Sequence, residues 1–182
     1  QFMWMVPLNA RLVVRVDVAT GAMTGFAGWP ATPEVTHPQD SYKFIGGVFD
    51  GTFEWLVPHN ARQVVRLSVA TGAMTGYADW PQTPEVTNAA DAGKFAGATF
   101  DGKFVWMAPS SARQVVRVDV ATGAMTGFAS WPTVPQITAA GDLYKFVGIT
   151  FDGSIMTLVP LNARQVVRVD VGNGTMTGYA GW

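Results

Sequence analysis

Three features of the sequence predict an all-β fold built from a repeated four-stranded sheet. They are a period of about 51 residues, an Asp-Gly corner between apolar segments, and strand-like patterns on either side of that corner. Phe49-Asp50-Gly51 returns as Phe100-Asp101-Gly102 and Phe151-Asp152-Gly153, and Trp29, Trp80, Trp131 and Trp182 mark a second point at the same spacing. Residues 52–102 match residues 103–153 at roughly 31 of 51 positions without a gap, which duplication explains and shared composition does not.

Within a unit, the segment from Lys43 to Phe49 is nearly all apolar or small, as are Lys94 to Phe100 and Lys145 to Phe151, and such a run suits a strand covered on both faces. The Asp-Gly at 50–51, 101–102 and 152–153 predicts a two-residue hairpin turn, pairing a second strand, Phe53 to Val57, with the first. Pro58 ends that strand because it has no N–H to give to a ladder, and His59-Asn60-Ala61-Arg62 forms a loop. In the third strand, Val65, Leu67 and Val69 share one face while Arg66 and Ser68 share the other. The second polar position is acidic elsewhere, giving Arg15 with Asp17, Arg117 with Asp119 and Arg168 with Asp170, pairs that read as cross-strand ladders. Thr71-Gly72 turns the chain into a fourth strand running from Met74 towards Trp80, and Gly172-Asn173-Gly174 keeps that turn chemistry in the last unit. The stretch from Pro81 to Gly93 is too long for a hairpin and suits a crossing from one sheet to the next.

Four short strands, three tight connections and one long one are the pattern of a β-propeller of four-stranded antiparallel blades. The rival, a β-solenoid, has shorter coils and lacks three successive hairpins. The chain reads as one repeat domain over 1–182, with units at 1–42 (a partial blade), 43–93, 94–144 and 145–182. Gln1 corresponds to Thr52, so the first of about four units lacks its inner strand. A propeller left open exposes strand edges to pairing, and two expectations follow: a segment of a larger propeller, or a ring completed by another chain.

The formal net charge is -1, with 12 Lys plus Arg against 13 Asp plus Glu, so there is no overall positive field for nucleic acid or an anionic membrane. At 48% hydrophobic and 14% charged the chain is far from the composition of disorder, and it has no run of 18 apolar residues of the kind that spans a membrane. It has no cysteine, hence neither disulfides nor thiolate ligands.

The Gly46-Gly47 pair, the Phe-Asp-Gly turn and the stretch Val-Val-Arg-Val-Asp-Val-Ala-Thr-Gly before an aromatic and a Trp resemble kelch-type propeller blades. Gly97-Ala98 and Gly148-Ile149 depart from the double glycine of that pattern. Bacterial repeats with an aromatic-rich Phe-Asp-Gly hairpin ending in Pro are similar too. Both resemblances imply a propeller used as a binding platform. The copper oxidase site of the kelch type needs Cys, Tyr and His ligands, and the chain has no Cys.

No enzymatic constellation stands out. His37 and His59 occupy different repeat positions without metal-ligand spacing, so neither a catalytic residue, a metal site nor a cofactor is expected. The Asp of each Phe-Asp-Gly reads as a turn residue before it reads as a calcium ligand. Trp4, Trp55 and Trp106 share one position in the second strand, with Thr157 in the last unit, and fit either core packing between blades or stacking on a sugar ring or apolar partner. Asn9, Asn60 and Asn162, with Ser111 between them, precede Arg11, Arg62, Arg164 and Arg113 in a loop at one end of each blade. Those Arg residues either hold loop carbonyls and neighbouring Asp or bind acidic glycans. Asn173-Gly174-Thr175 matches a glycosylation sequon and equally a favoured turn.

Two functions follow from this reading. The first is a non-catalytic structural or protein-interaction propeller, a segment of a larger or self-associating extracellular or secreted assembly, whose partner is a protein through self-association or neighbouring repeats. The second is a multivalent carbohydrate-binding, lectin-like propeller with glycan as its partner. An enzyme using departures from the repeat at a central channel is a third, with no residue to assign to it.

Overall fold

The computed structural model describes residues 1–32, 34–35, 41–86, 92–134, 136–137 and 143–181; His37 and Trp182 lie outside the described residues. The fold is all-β and propeller-like, with four antiparallel sheets among the described residues. The first sheet has three strands, β1 (Phe2–Met5), β2 (Val13–Asp17) and β3 (Met23–Phe26). The second holds β4 (Phe44–Phe49), β5 (Phe53–Pro58), β6 (Val64–Ser68) and β7 (Met74–Tyr77). The third holds β8 (Phe95–Phe100), β9 (Phe104–Pro109), β10 (Val115–Asp119) and β11 (Met125–Phe128), and the fourth β12 (Phe146–Phe151), β13 (Ile155–Pro160), β14 (Val166–Asp170) and β15 (Met176–Tyr179). Each is a simple meander, so every neighbour in a sheet is a neighbour in sequence. The chain divides into two compact units, Gln1–Ala78 with the first two sheets and Asp79–Trp182 with the last two.

The corner between the first two strands of a sheet sits one residue later than Asp-Gly suggests. Asp50 N–H donates to the Phe53 carbonyl at 3.0 Å, so the central residues are Gly51 and Thr52, with Gly51 at φ 100°. Glycine at the first central position is the requirement of a type II′ loop. Asp50 stands just before it, and its Oδ1 accepts from the N–H of Thr52 and Phe53 at 2.8 and 2.7 Å. Asp101 and Asp152 do the same in the later sheets.

Strand alternation gives each sheet two unlike faces. Trp55, Arg66 and Thr75 are direct cross-strand partners and share one face with Phe53 and Tyr77, which we term the aromatic face. Leu56, Val65, Leu67 and Met74 lie on the other, aliphatic face. In the first compact unit, Leu56, Val65, Leu67 and Met74 pack with Trp4 and Phe26, so the aliphatic face of sheet two covers the aromatic face of sheet one. The second unit repeats this: Met156, Leu158, Val167, Val169 and Met176 of sheet four pack on Trp106, Phe104 and Phe128 of sheet three.

The fourth strand ends at Tyr77 instead of continuing to Trp80. The Trp beyond it has a different task. Trp29 stacks on Phe44 at 5.7 Å between ring centroids, and Trp131 stacks on Phe146 at 5.9 Å, each ring reaching the inner strand of the following sheet within its unit. The indole N–H groups donate backwards to the carbonyls of Arg11 and Arg113, both at 2.9 Å. In sheets one and three this residue thus ties the end of the sheet to its own loop and to the next sheet.

Glu54 interrupts the aliphatic face of sheet two, where the equivalent positions hold Met3, Val105 and Met156. A Cβ at Gly47 would collide with its Oε1, so the second glycine of the pair makes room for this carboxyl. Burial, reinforced by the nearby Asp50 charge, pushes the Glu54 carboxyl up from 4.5 to about 7. The folded protein therefore holds a proton that the unfolded chain releases, and stability falls as pH rises from the unfolded value through the folded one. Water screens the open part of the carboxyl, which leaves about 1–2 kcal/mol. Glu54→Gln is expected to match the parent in urea denaturation at pH 4.5 and to exceed it at pH 8. An equal stability difference at both pH values would refute the assignment.

Candidate functional site

The aromatic face carries one side-chain arrangement in three of the four described sheets. In sheet two, the Arg66 guanidinium lies 4.3 Å from the Phe53 ring centroid, 5.7 Å from Trp55 and 5.5 Å from Tyr77. In sheet three, Arg117 lies 4.1, 5.2 and 5.1 Å from Phe104, Trp106 and Phe128. Sheet one repeats the cluster with Arg15 over Phe2, Trp4 and Phe26. These are cation–π contacts: the planar cation rests on the negative ring faces while its stem covers apolar surface. Burial raises the Tyr77 hydroxyl above its usual range, with Arg66 acting partly against the shift.

The Arg and Asp of the third strand are therefore not ladder partners, which corrects the sequence reading. Arg15 is opposite Trp4 and Thr24. Asp17 turns its Oδ1 to the N–H groups of Ala19 and Thr20 at 2.9 and 3.0 Å, capping the Thr-Gly turn, as Asp119 and Asp170 do in theirs. The N–H groups of its own turn thus hold each of these carboxylates.

Trp55 and Trp106 are fully covered, and each indole N–H donates to an Asp carboxylate, Asp50 or Asp101, at 2.6 Å. Trp4, in the three-stranded sheet, is half-buried against Phe26. The packing of Trp55 and Trp106 leaves no ring face for a sugar.

Sheet four departs from this scheme. Ile155 and Thr157 replace the Phe and Trp, and Asp152, relieved of an indole, meets Arg168 at 3.6 Å. The N–H groups of Ile155 and Ser154, with smaller help from Arg168, hold the Asp152 carboxyl below the usual carboxylate range. A recess of about 260 Å³ lies on this face, lined by Ile155, Arg168, Asp170, Thr177 and Tyr179 among others.

The Asn/Arg loop caps the inner strand. Asn60 Nδ2 donates to the Ser41 carbonyl at 2.8 Å and Asn162 Nδ2 to the Leu143 carbonyl at 3.1 Å, while Asn9 Oδ1 accepts from the Tyr42 N–H at 2.6 Å. Lys43 Nζ donates to the Asn9 carbonyl at 2.9 Å. Arg11, Arg62, Arg113 and Arg164 carry exposed side chains, and the main chain of Arg113 and Arg164 bonds to the Val86 and Ile137 carbonyls. Beside the loop, Tyr42 and Tyr144 are exposed and left-handed at φ 56° and 58°, where sheet three has Gly93 at 74°.

A buried amide escaped the sequence reading. Gln63, Gln114 and Gln165 are buried, and a Cβ at Gly76, Gly127 or Gly178 would overlap the respective Gln carboxamide. Gln114 Nε2 donates to the Pro84 carbonyl in the crossing segment. The recurrence of Gln in three units, with Leu12 in the first, was the available signal. Among the described residues no group of three or more His, Cys, Asp or Glu could hold a metal ion.

No protein-family model matches the sequence, and no curated protein does. Solved structures are similar in fold. Virginiamycin B lyase from Staphylococcus aureus is 17% identical at a TM-score of 0.64 over 97% of this chain and 50% of its own. U3-55K is 10% identical at 0.68 over 100% of this chain and 49% of its own. A chain of the nidogen/laminin complex is 13% identical at 0.56 over 97% of this chain and 59% of its own. The chain thus spans about half the length of the structures it matches. At these identities the likeness establishes the propeller-like fold alone.

Proposed function

We propose that this chain is a non-catalytic, extracellular or secreted interaction propeller that associates with protein, including further copies of itself, through exposed sheet faces. The observation that carries the reading is the aliphatic face of sheet one, where Met3, Met5 and Met23 are exposed although the same face of the other sheet in its compact unit is covered. Apolar side chains gathered on one sheet face mark an interaction surface more than scattered ones do. The kelch-like motifs support the same role. In sedimentation velocity, the average mass of the chain is expected to rise with concentration. A single monomer at every concentration would overturn the reading, and recovery of the native protein only from cytoplasm would overturn its extracellular setting.

The exposed Tyr42 and Tyr144 favour a second reading, a multivalent glycan binder. A bulky residue in the left-handed region costs about 1 kcal/mol, and such strain collects at functional positions. Here the Tyr rings replace the buried Trp as stacking surfaces, tied to the Arg62 and Arg164 loops by the N–H groups of Asn60 and Asn162, which donate to the Tyr42 and Tyr144 carbonyls at 3.0 and 3.2 Å. Binding on a glycan array that is lost in Tyr42→Gly with Tyr144→Gly is the expected result. An array without signal would remove this reading.

A further inference from the structure

We infer that the aliphatic face of sheet one in one copy seats on the aromatic face of sheet four in a second copy, with the Val18–Gly21 turn entering the recess beside Arg168. This rests on the self-association reading and adds the partner face, the polarity and the contacts.

Sheets one and four carry nearly the same aliphatic face in two different states. Met156, Leu158 and Met176 of sheet four lie against sheet three and are 0%, 0% and 9% exposed. Their repeat equivalents Met3, Met5 and Met23 are 55%, 50% and 72% exposed. The aromatic face that receives sheet four has its counterpart on sheet four itself: Arg117 and Phe128 of sheet three correspond to Arg168 and Tyr179. Tyr179 is 49% exposed. A second copy therefore brings each open face the kind of surface that already covers its equivalent inside the chain.

The turn contacts make the match specific. In the second compact unit, the turn of sheet four lies on sheet three: a Cβ at Gly174 would run into the Phe128 ring, and Arg117 Nη1 donates to the Val171 carbonyl at 3.3 Å. The first unit shows the same approach, Gly72 against the Phe26 ring. The equivalent turn of sheet one ends at Gly21 with φ 72°, close to the 76° of both Gly72 and Gly174. Nothing lies within 4 Å of a Cβ built on Gly21, and Val18 is 58% exposed. Seated in the recess, Gly21 takes the Tyr179 ring as Gly174 takes Phe128, and the Val18 carbonyl accepts from Arg168, which keeps its exposed contact with Asp152. Ile155, where the other three sheets carry Phe, lines the space that the turn occupies. Such a contact joins two different surfaces and is therefore head-to-tail.

The test uses the whole chain with Met23→Glu, which charges the sheet one face, and separately with Tyr179→Glu, which charges the sheet four face. Both sites are exposed, and unchanged thermal midpoints verify that each variant folds. Each substitution alone is expected to weaken association of the chain with itself by about a hundredfold, because a carboxylate would be buried in an apolar contact. An equimolar mixture of the two variants is expected to regain heterodimers, since one supplies an intact sheet four face and the other an intact sheet one face. Association unaffected by either substitution, or a mixture that stays monomeric, would overturn the head-to-tail contact while leaving self-association standing. A monomeric parent would overturn both.

Discussion

Trp106→Ala will lower the stability of the fold by about 3–5 kcal/mol, the range for emptying a large aromatic from a packed interior. Trp106 has no exposed surface and lies in a cluster with Met156, Leu158 and Val169 from the following sheet. Its ring stacks on Phe128 at 5.2 Å and lies under the Arg117 guanidinium. Truncation leaves a cavity between two sheets, takes one ring from the Arg117 cluster and removes the donor to Asp101. Collapse into that space is hindered because the surrounding strands are held by their ladders. Trp4→Ala will cost distinctly less, since Trp4 is half-buried in a sheet of three strands. Urea denaturation of both variants checks the order. A Trp106→Ala loss under about 1 kcal/mol would show that the ring is not a packing residue and would restore it as a candidate for ligand stacking.

The repeat period, the strand positions and the two-faced sheets were legible in the sequence because they follow from local chemistry. Gly51 and Gly72 need positive φ, and Val65 and Leu67 alternate with Arg66 and Ser68. The partners of the polar groups were not legible. Arg15 and Asp17 look like a pair when only spacing and sign are seen, yet one finds three aromatic rings and the other finds the N–H groups of its own turn. Trp29 reads as the last residue of a strand, but its place is fixed by Phe44, fifteen positions onward across a crossing segment. The Asn/Arg loop was found as a repeated motif, while Tyr42 and Tyr144 beside it share the repeat position of Gly93 but give no sign, as Tyr, of a left-handed backbone. The exposed face of sheet one also needed coordinates, because its residues match those buried in sheet four.

Asp101→Ala will destabilise by about 3 kcal/mol, and the same change at Asp152 by distinctly less, because the two carboxylates hold different partners. Both cap the first hairpin corner through Oδ1, Asp101 with the N–H of Lys103 and Phe104 at 2.8 and 2.7 Å, Asp152 with those of Ser154 and Ile155 at 3.0 and 2.8 Å. The difference lies at Oδ2. In Asp101 it accepts from the indole of Trp106 at 2.6 Å, and alanine there leaves an N–H donor in a covered ring without its acceptor. A buried donor so stranded keeps its full desolvation cost. In Asp152 the Oδ2 meets Arg168, an exposed pair whose loss water compensates. The double variant Asp101→Ala with Trp106→Phe separates cap from clamp: Phe removes the stranded donor while keeping most of the ring, so the two changes together should cost less than their separate costs added. Strict additivity in that cycle, or equal losses at Asp101 and Asp152, would mean that the indole bond contributes nothing and that the corner cap alone sets the value of the carboxylate.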